Sequence, residues 1–465
     1  MAHCTLKTRQ LFQTTFVLYI ILLLNLYFSS TLFPTGVFGY NAFVQQKRSG
    51  DIWMPRKSTI CIRLGEQGRR NNELISMKIK VGIIGLPNVG KSTLFNALCQ
   101  KSIAQAENFP FCTVDPNKAP VAIPDLNLER LGHFAHSTKC VPATIDFIDV
   151  AGLVKGASRG EGLGNQFLAT IRECDALVHV VRCYEDDNIV HVDGSVEPLV
   201  DAEVVNMELL LADEAHVERR LDRMVSCVGE ERATLERILE EIRKGVPARS
   251  LGLSSSAKLS IKSMGLLTLK PVIYAFNVDE IDFFWGRHEV EKKIRDLMSM
   301  IQHGDRILDL YSIVSAKVEA EVSKRSVDEQ IQYLVNIGGL NDDVVSSGRE
   351  LSSMDELLSY RTFPTLVCDL LNLGLLYTGP GVQPSTSQTT KAHIFHKNNP
   401  PTTFQLAGKL HGEIQKGFLR AEVSSANVLL SQASTYATAK DAGIIRTEGK
   451  DYKVETNDVI LIKWR

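Results

Sequence analysis

Lys91 and Ser92 end the octapeptide Gly85-Leu86-Pro87-Asn88-Val89-Gly90-Lys91-Ser92, which has the spacing G-x-x-x-x-G-K-[ST]. Glycines at these positions let backbone N–H groups close around phosphate oxygens, and a helix that starts there adds a favourable dipole. Lys91 is expected to reach the β- and γ-phosphates of a nucleotide, and the Ser92 hydroxyl to take one Mg²⁺ position. Asp149-Val150-Ala151-Gly152 matches D-x-x-G. In that element the acid holds Mg²⁺ through water and the glycine amide senses a γ-phosphate. Thr113 ends the polar and aromatic stretch Asn108-Phe109-Pro110-Phe111-Cys112-Thr113 and is the candidate for completing the Mg²⁺ shell. Asp146 is read as structural.

Base recognition is expected from Asn277-Val278-Asp279-Glu280, which stands where a guanine reader carries N-K-x-D. There the aspartate accepts from guanine N1–H and the 2-amino group, while the lysine stem covers the ring. Val278 replaces that lysine and Glu280 that aspartate. Each lost hydrogen bond to a charged group is worth ~1.5–3 kcal/mol, so guanine recognition is weakened and the site is open to adenine. Asn117-Lys118-Ala119-Pro120 lacks the acid, and Ser315-Ala316-Lys317 fits the last base-side loop. Leu153 occupies the position where many switch enzymes keep a water-orienting glutamine. Hydrolysis must then recruit another group or run slowly. His191, after the polar loop Glu185-Asp186-Asp187-Asn188, is one candidate; the alternative is an ordinary surface-loop histidine.

The elements that must hold these residues alternate between strand and helix. Strands are expected at 79–84, 144–150, 176–181, 271–276 and 310–314, and helices at 93–100 and 165–173. Dense alternating charge with apolar residues at helical spacing predicts a helical hairpin inserted at about 205–262. From about Asp369 the pattern changes to short strands, and the Gly/Pro/Ser/Thr-rich stretch Gly379 to Thr390 reads as a flexible loop. The fold class is therefore α/β, with a nucleotide domain over 78–368 and a second domain over 369–465.

With 465 residues, 44% of them hydrophobic and 23% charged, the chain has room for two or three cores. A net charge of -2 excludes coating nucleic acid by bulk charge but allows local basic patches. Nine cysteines without a C-x-x-C pair suggest free thiols in a reducing compartment. Residues 1–77 read separately: Lys7 and Arg9 precede the apolar run Phe16 to Phe28, and an Arg-rich, acid-poor stretch follows to Arg70. A signal-peptide core followed by a transit-like segment resembles the bipartite presequence of proteins sent to a plastid of secondary endosymbiotic origin. The alternatives are a cytoplasmic protein or a membrane anchor, although the apolar core is shorter than the ~20 residues of a span. No stable membrane association of the mature chain is expected.

Taken together, the octapeptide 85–92, the stretches 108–113 and 149–158 and the motif 277–280 resemble the Obg-like ATPase (YchF) family of translation-factor-related P-loop GTPases. The resemblance implies a nucleotide domain with an inserted α-helical hairpin and a β-grasp (TGS) C-terminal domain, of which 407–418 resembles the central helix and exit. It implies ATP preferred over GTP. It places Asn88, Val89, Gly90, Lys91, Ser92 and Thr93 on the phosphates, with Ser92, Thr113 and Asp149 about Mg²⁺ and Gly152 at the γ-phosphate. Asn277 and the Val278 backbone would meet adenine. His191 resembles a loop histidine proposed to replace the glutamine, which makes it, with Lys91, the catalytic candidate. Asn88 further implies stimulation by K⁺. The implied partners are ATP and the ribosome or ribosomal RNA, and a monomer is expected. Lys409, Lys416, Arg420, Lys440, Arg446, Lys450 and Lys453 make the C-terminal region mildly basic, which suits phosphate contacts with RNA or is a solvated charged surface. Two rival functions remain, a GTPase of the same fold and a nucleotide-gated binding protein with negligible turnover.

Overall fold

The apolar run before the glycine loop becomes β1 (Lys80–Ile84), the third strand of a six-stranded sheet ordered β2-β4-β1-β5-β6-β7. The computed structural model describes residues 78–106, 117–150, 163–186, 188–189, 194–224, 229–284, 286–301, 309–325, 329–330, 332–333, 358–379 and 389–465. Residues 1–77, with the presequence expected there, lie outside the described residues.

β4 (Thr144–Asp149), β5 (Ala176–Arg182), β6 (Val272–Asn277) and β7 (Leu310–Val314) run parallel in the same sheet as β1, whereas the edge strand β2 (Lys118–Ala122) pairs antiparallel with β4. Every residue of β5 and β6 is buried. That explains why these strands read as continuous apolar runs, since helices cover both faces of a parallel sheet. Asn117-Lys118-Ala119-Pro120 enters β2, and Lys118 pairs with the buried Asp146 at 2.8 Å, a structural role for both.

The inserted hairpin consists of α4 (Pro198–Arg223) and α5 (Glu230–Arg243), numbered after α1 (Lys91–Ala106), α2 (Leu126–Phe134) and α3 (Leu163–Arg172). It begins earlier than its apolar periodicity suggested because Pro198 preorganises the first turn. Leu210, Val217, Leu235, Ile238 and Ile242 form its own core. At its base Asp213, fully buried, accepts from Leu267 N (3.0 Å), Thr268 N (2.7 Å) and the Thr268 hydroxyl (2.8 Å). The insert is thereby fastened to the turn that feeds β6.

A second six-stranded sheet has the order β11-β10-β12-β8-β9-β3. Five of its strands are C-terminal: β8 (Leu373–Thr378), β9 (Thr389–His396), β10 (Phe418–Ser425), β11 (Arg446–Glu448) and β12 (Asp458–Trp464). The sixth, β3 (Lys139–Val141), comes from between β2 and β4 and pairs parallel with β9. Tyr377 also donates to Asp125 at 3.0 Å, and Phe363 of the helix 359–370 lies 6.0 Å from Phe147. One core therefore runs through both sheets. The helix expected at 407–418 divides at His411, which is extended, and its first part begins at Thr403 behind a Thr402–Gln405 capping box.

Asp213→Ala removes the acceptor of three buried donors, each costing ~1–3 kcal/mol when orphaned. The expected loss is on the order of 3 kcal/mol in urea unfolding; an unchanged midpoint would show that the insert is held by other contacts.

Candidate functional site

All the candidate segments that lie on described residues leave the same, carboxyl edge of the first sheet. β1 runs into the glycine loop, β4 ends on Asp149, β6 on Asn277 and β7 at Ser315. From β1 the chain turns first to one side, to β2 and β4, and later to the other, to β5, so the loop lies at a topological switch point. Crevices at such points are where open α/β sheets bind ligands. The loop has little steric freedom. A Cβ on Gly85 would come within 2.4 Å of the Val180 carbonyl, and one on Gly90 within 2.5 Å of Asn277 Nδ2. Asn88 holds φ 61°, a left-handed value asparagine tolerates, and its side chain is exposed. Val89 is buried, and Thr93 is exposed in the first turn of α1.

Lys91 opens α1 with a buried side chain whose Nζ donates to the Leu86 carbonyl at 2.5 Å, curling back over the loop. Burial pushes its ammonium down to about 8, opposed by the charge of Asp149. The exposed Ser92 hydroxyl donates to Asp149 Oδ2 at 3.1 Å, and burial raises the Asp149 carboxyl above the usual range. Asp149 Oδ1 is buried with no hydrogen-bond partner among the described residues. A hydroxyl and a carboxylate with an unused oxygen are hard donors that fit Mg²⁺, which keeps waters and substrate phosphates for its other positions. No group of three or more His, Cys, Asp or Glu side chains among the described residues forms a metal cage, and a Mg²⁺ site of this kind does not require one.

On the base side, Asn277 acts as a fastener. Its Nδ2 donates to the Val89 carbonyl and its Oδ1 accepts from Ala316 N, both at 2.9 Å. Val278 is buried, and its N–H donates to the Val314 carbonyl at 2.9 Å. Any backbone contact from Val278 to a base therefore falls to its carbonyl oxygen. Glu280 is paired with Lys317 at 2.6 Å and accepts from the Tyr333 hydroxyl at 3.4 Å. Neither partner is signalled by the motif. Thr113, Gly152, Leu153 and His191 lie outside the described residues.

Arg182 was missed in the sequence, although a charge closing a wholly apolar run is a signal that could have found it. It is 1% exposed and donates to the carbonyls of Tyr184 (3.0 Å), Ile189 (3.1 Å) and Asp186 (3.2 Å). These bonds hold the carbonyls that follow β5.

A polyphosphate beside Lys91 would favour its charged form, so binding above pH ~8 must take up a proton. Nucleotide affinity is expected to fall by up to about tenfold per pH unit above about 8 and to be flat below about 7. Calorimetry in buffers of different ionisation enthalpy measures the uptake; no proton uptake at pH ~9 would remove Lys91 from the phosphate contacts.

The family model described as 50S ribosome-binding GTPase matches residues 80–212, and the YchF GTPase C-terminal model, described as a protein of unknown function (DUF933), matches 385–465. The chain is 39% identical to the ribosome-binding ATPase YchF of Escherichia coli O157:H7 over 395 residues, covering 83% of this chain and 98% of that protein. It is 38% identical to the protein of the same name from Bacillus subtilis, with the same coverage. The solved structure of the Schizosaccharomyces pombe YchF GTPase superposes with a TM-score of 0.68 at 29% identity, over 83% of this chain and 98% of that one. On the identity and extent of these matches, as well as on its loop geometry, the chain belongs to the YchF family of P-loop nucleotide-binding proteins.

Proposed function

We propose that the chain binds ATP with Mg²⁺ and hydrolyses it to ADP and phosphate in a cycle coupled to the ribosome. The observation that carries the choice of base is the commitment of the Val278 N–H to Val314. A backbone carbonyl accepts from the 6-amino group of adenine but faces the 6-oxo group of guanine acceptor to acceptor. Glu280, tied to Lys317 and Tyr333, is also engaged where a guanine reader keeps its aspartate ready. A site whose polar groups suit one base penalises the other through unpaired buried atoms.

Ser92 and Asp149 would hold Mg²⁺, with Thr113 adding a ligand, and the ion would neutralise charge on the β- and γ-phosphates. Lys91 and the loop amides from Asn88 to Thr93 would orient the phosphates, with Gly152 at the γ-phosphate. Asn88 would add stimulation by K⁺. His191 would orient the attacking water in place of Leu153. Coupling to the ribosome rests on the name of the bacterial relatives, ribosome-binding ATPases, and on the mildly basic C-terminal domain.

A GTPase reading is favoured by the name of the solved Schizosaccharomyces pombe relative, a YchF GTPase, and by the ribosome-binding GTPase family that matches the first domain. Competition of ATP and GTP for a fluorescent nucleotide in Mg²⁺ separates the two. ATP is expected to bind at least about tenfold tighter, the size of one hydrogen bond gained or lost in a buried site. Tighter GTP binding would reassign the chain as a GTPase. His191→Ala is expected to lower phosphate release by about 10²-fold or more, as loss of a group that orients the reacting water does, with ATP affinity nearly intact. Equal turnover in that variant would exclude His191 from the mechanism. Negligible phosphate release from the unaltered chain, with ribosomes present and absent, would leave a nucleotide-gated binder.

A further inference from the structure

A second concavity of about 540 Å³ lies where the two sheets meet, at the opposite end of β4 from the nucleotide loop. Thr144 starts that strand and lines the cavity, while Asp149 ends it at the loop. At ~3.3 Å per residue the two places are on the order of 15 Å apart along β4. Three lysines line the cavity: the exposed Lys78 just before β1, the exposed Lys391 on β9, and the half-buried Lys409 on the helix 403–410. Gln405 and Gln415 add amide groups, and among the described residues no carboxylate belongs to its wall.

Among the described residues these lysines have no carboxylate paired with them. Lys118 and Arg249, by contrast, have Asp146 and Asp309 beside them, each at 2.8 Å. Among the described residues no salt bridge within 4.0 Å involves Lys78, Lys391 or Lys409, and the sequence at 380–388 carries no acid. Burial and the neighbouring Lys391 push the half-buried Lys409 down to about 8. The same two lysines, after burial, hold His393 neutral down to about 3, its Nε2 2.8 Å from the Thr378 hydroxyl. An anion in the cavity would favour the charged form of Lys409, which burial and Lys391 oppose.

We propose that this cavity is a second anion site, separate from the nucleotide loop, and that its ligand is a compact run of phosphates. Its volume lies in the range of small-ligand pockets, roughly 300–1,000 Å³. The three lysines border one concavity, which suits a short oligophosphate better than a long strand. Phosphate oxygens would accept from Lys409 at the bottom and from Lys78 and Lys391 at the rim. Because Lys78 precedes β1 and Thr144 starts β4, the occupied site would grip the far ends of the two strands that carry the nucleotide loop and Asp149.

The test uses the full chain with its nucleotide loop saturated by Mg-ADP, titrated with inorganic tripolyphosphate by equilibrium dialysis. One further equivalent is expected to bind. Lys391→Gln combined with Lys409→Gln should weaken it by about tenfold or more, the size of one lost charge-assisted hydrogen bond, while Lys409→Arg keeps it. Unchanged ADP affinity verifies that the variants are folded, and Lys391→Gln alone, at an exposed side chain, provides a second measurement. A short single-stranded RNA that displaces tripolyphosphate would identify the phosphates as a nucleic-acid backbone; failure to displace it would identify a free oligophosphate, and the site stands in either case. Saturation without the further equivalent, or equal binding by the double variant, overturns the proposal.

Discussion

The nucleotide loop depends on one side chain whose own bonds are all to backbone. Asn277 donates to the Val89 carbonyl and accepts from Ala316 N, so the loop after β1 and the loop after β7 are bolted to the end of β6. Both bonds are buried, and breaking either strands a polar group out of reach of water. This explains why Gly90 has no alternative there: any Cβ would strike the Asn277 amide. It also places asparagine at this position for reasons of assembly, whatever it adds to base contact. The phosphate side and the base side of the crevice are thereby kept in one register.

The rest of the sheet gives that bolt a rigid mount. β5 and β6 are buried along their whole length, so their ends can move only with the core. Polar residues in this interior serve local tasks. Arg182 gathers three carbonyls of the loop 184–189, and Arg249 makes a bidentate pair with Asp309. Asp213 collects three donors where the helical insert joins the turn before β6. Arg182 and Asp213 thereby satisfy backbone groups that an irregular connection would otherwise bury unpaired.

What was legible in the sequence follows from which interactions are local. The loop 85–92 and the ends of β4, β6 and β7 were readable because backbone spacing and strand periodicity act within a few residues. The strand β3 was not, since three residues carry no period and their partner β9 lies far along the chain. The start of the hairpin at Pro198 preceded its apolar spacing. Lys317 as the partner of Glu280, and Leu86 as the partner of Lys91, are tertiary facts that motif matching does not encode. Arg182 was legible in principle, because a charge at the end of an all-apolar run must find partners to offset its burial. Thr113, Gly152 and His191 fall outside the described residues, so their places rest on sequence alone.

Lys118, Arg249, Lys91 and Lys409 sit in two kinds of setting, and the difference separates structure from function. Lys118 with Asp146 and Arg249 with Asp309 are matched at 2.8 Å. Removing one partner of such a pair would strand the other, which makes these pairs part of the assembly. Lys91 and Lys409 are cations that burial pushes down to about 8. Lys91 leans on a carbonyl, with Asp149 as the charge that raises it, and Lys409 feels another lysine. A fold that holds a cation against desolvation stores binding energy for an anion, because phosphate restores what desolvation removed. By that criterion the glycine loop and the cavity at the far end of β4 belong to one class, although only the first has a motif.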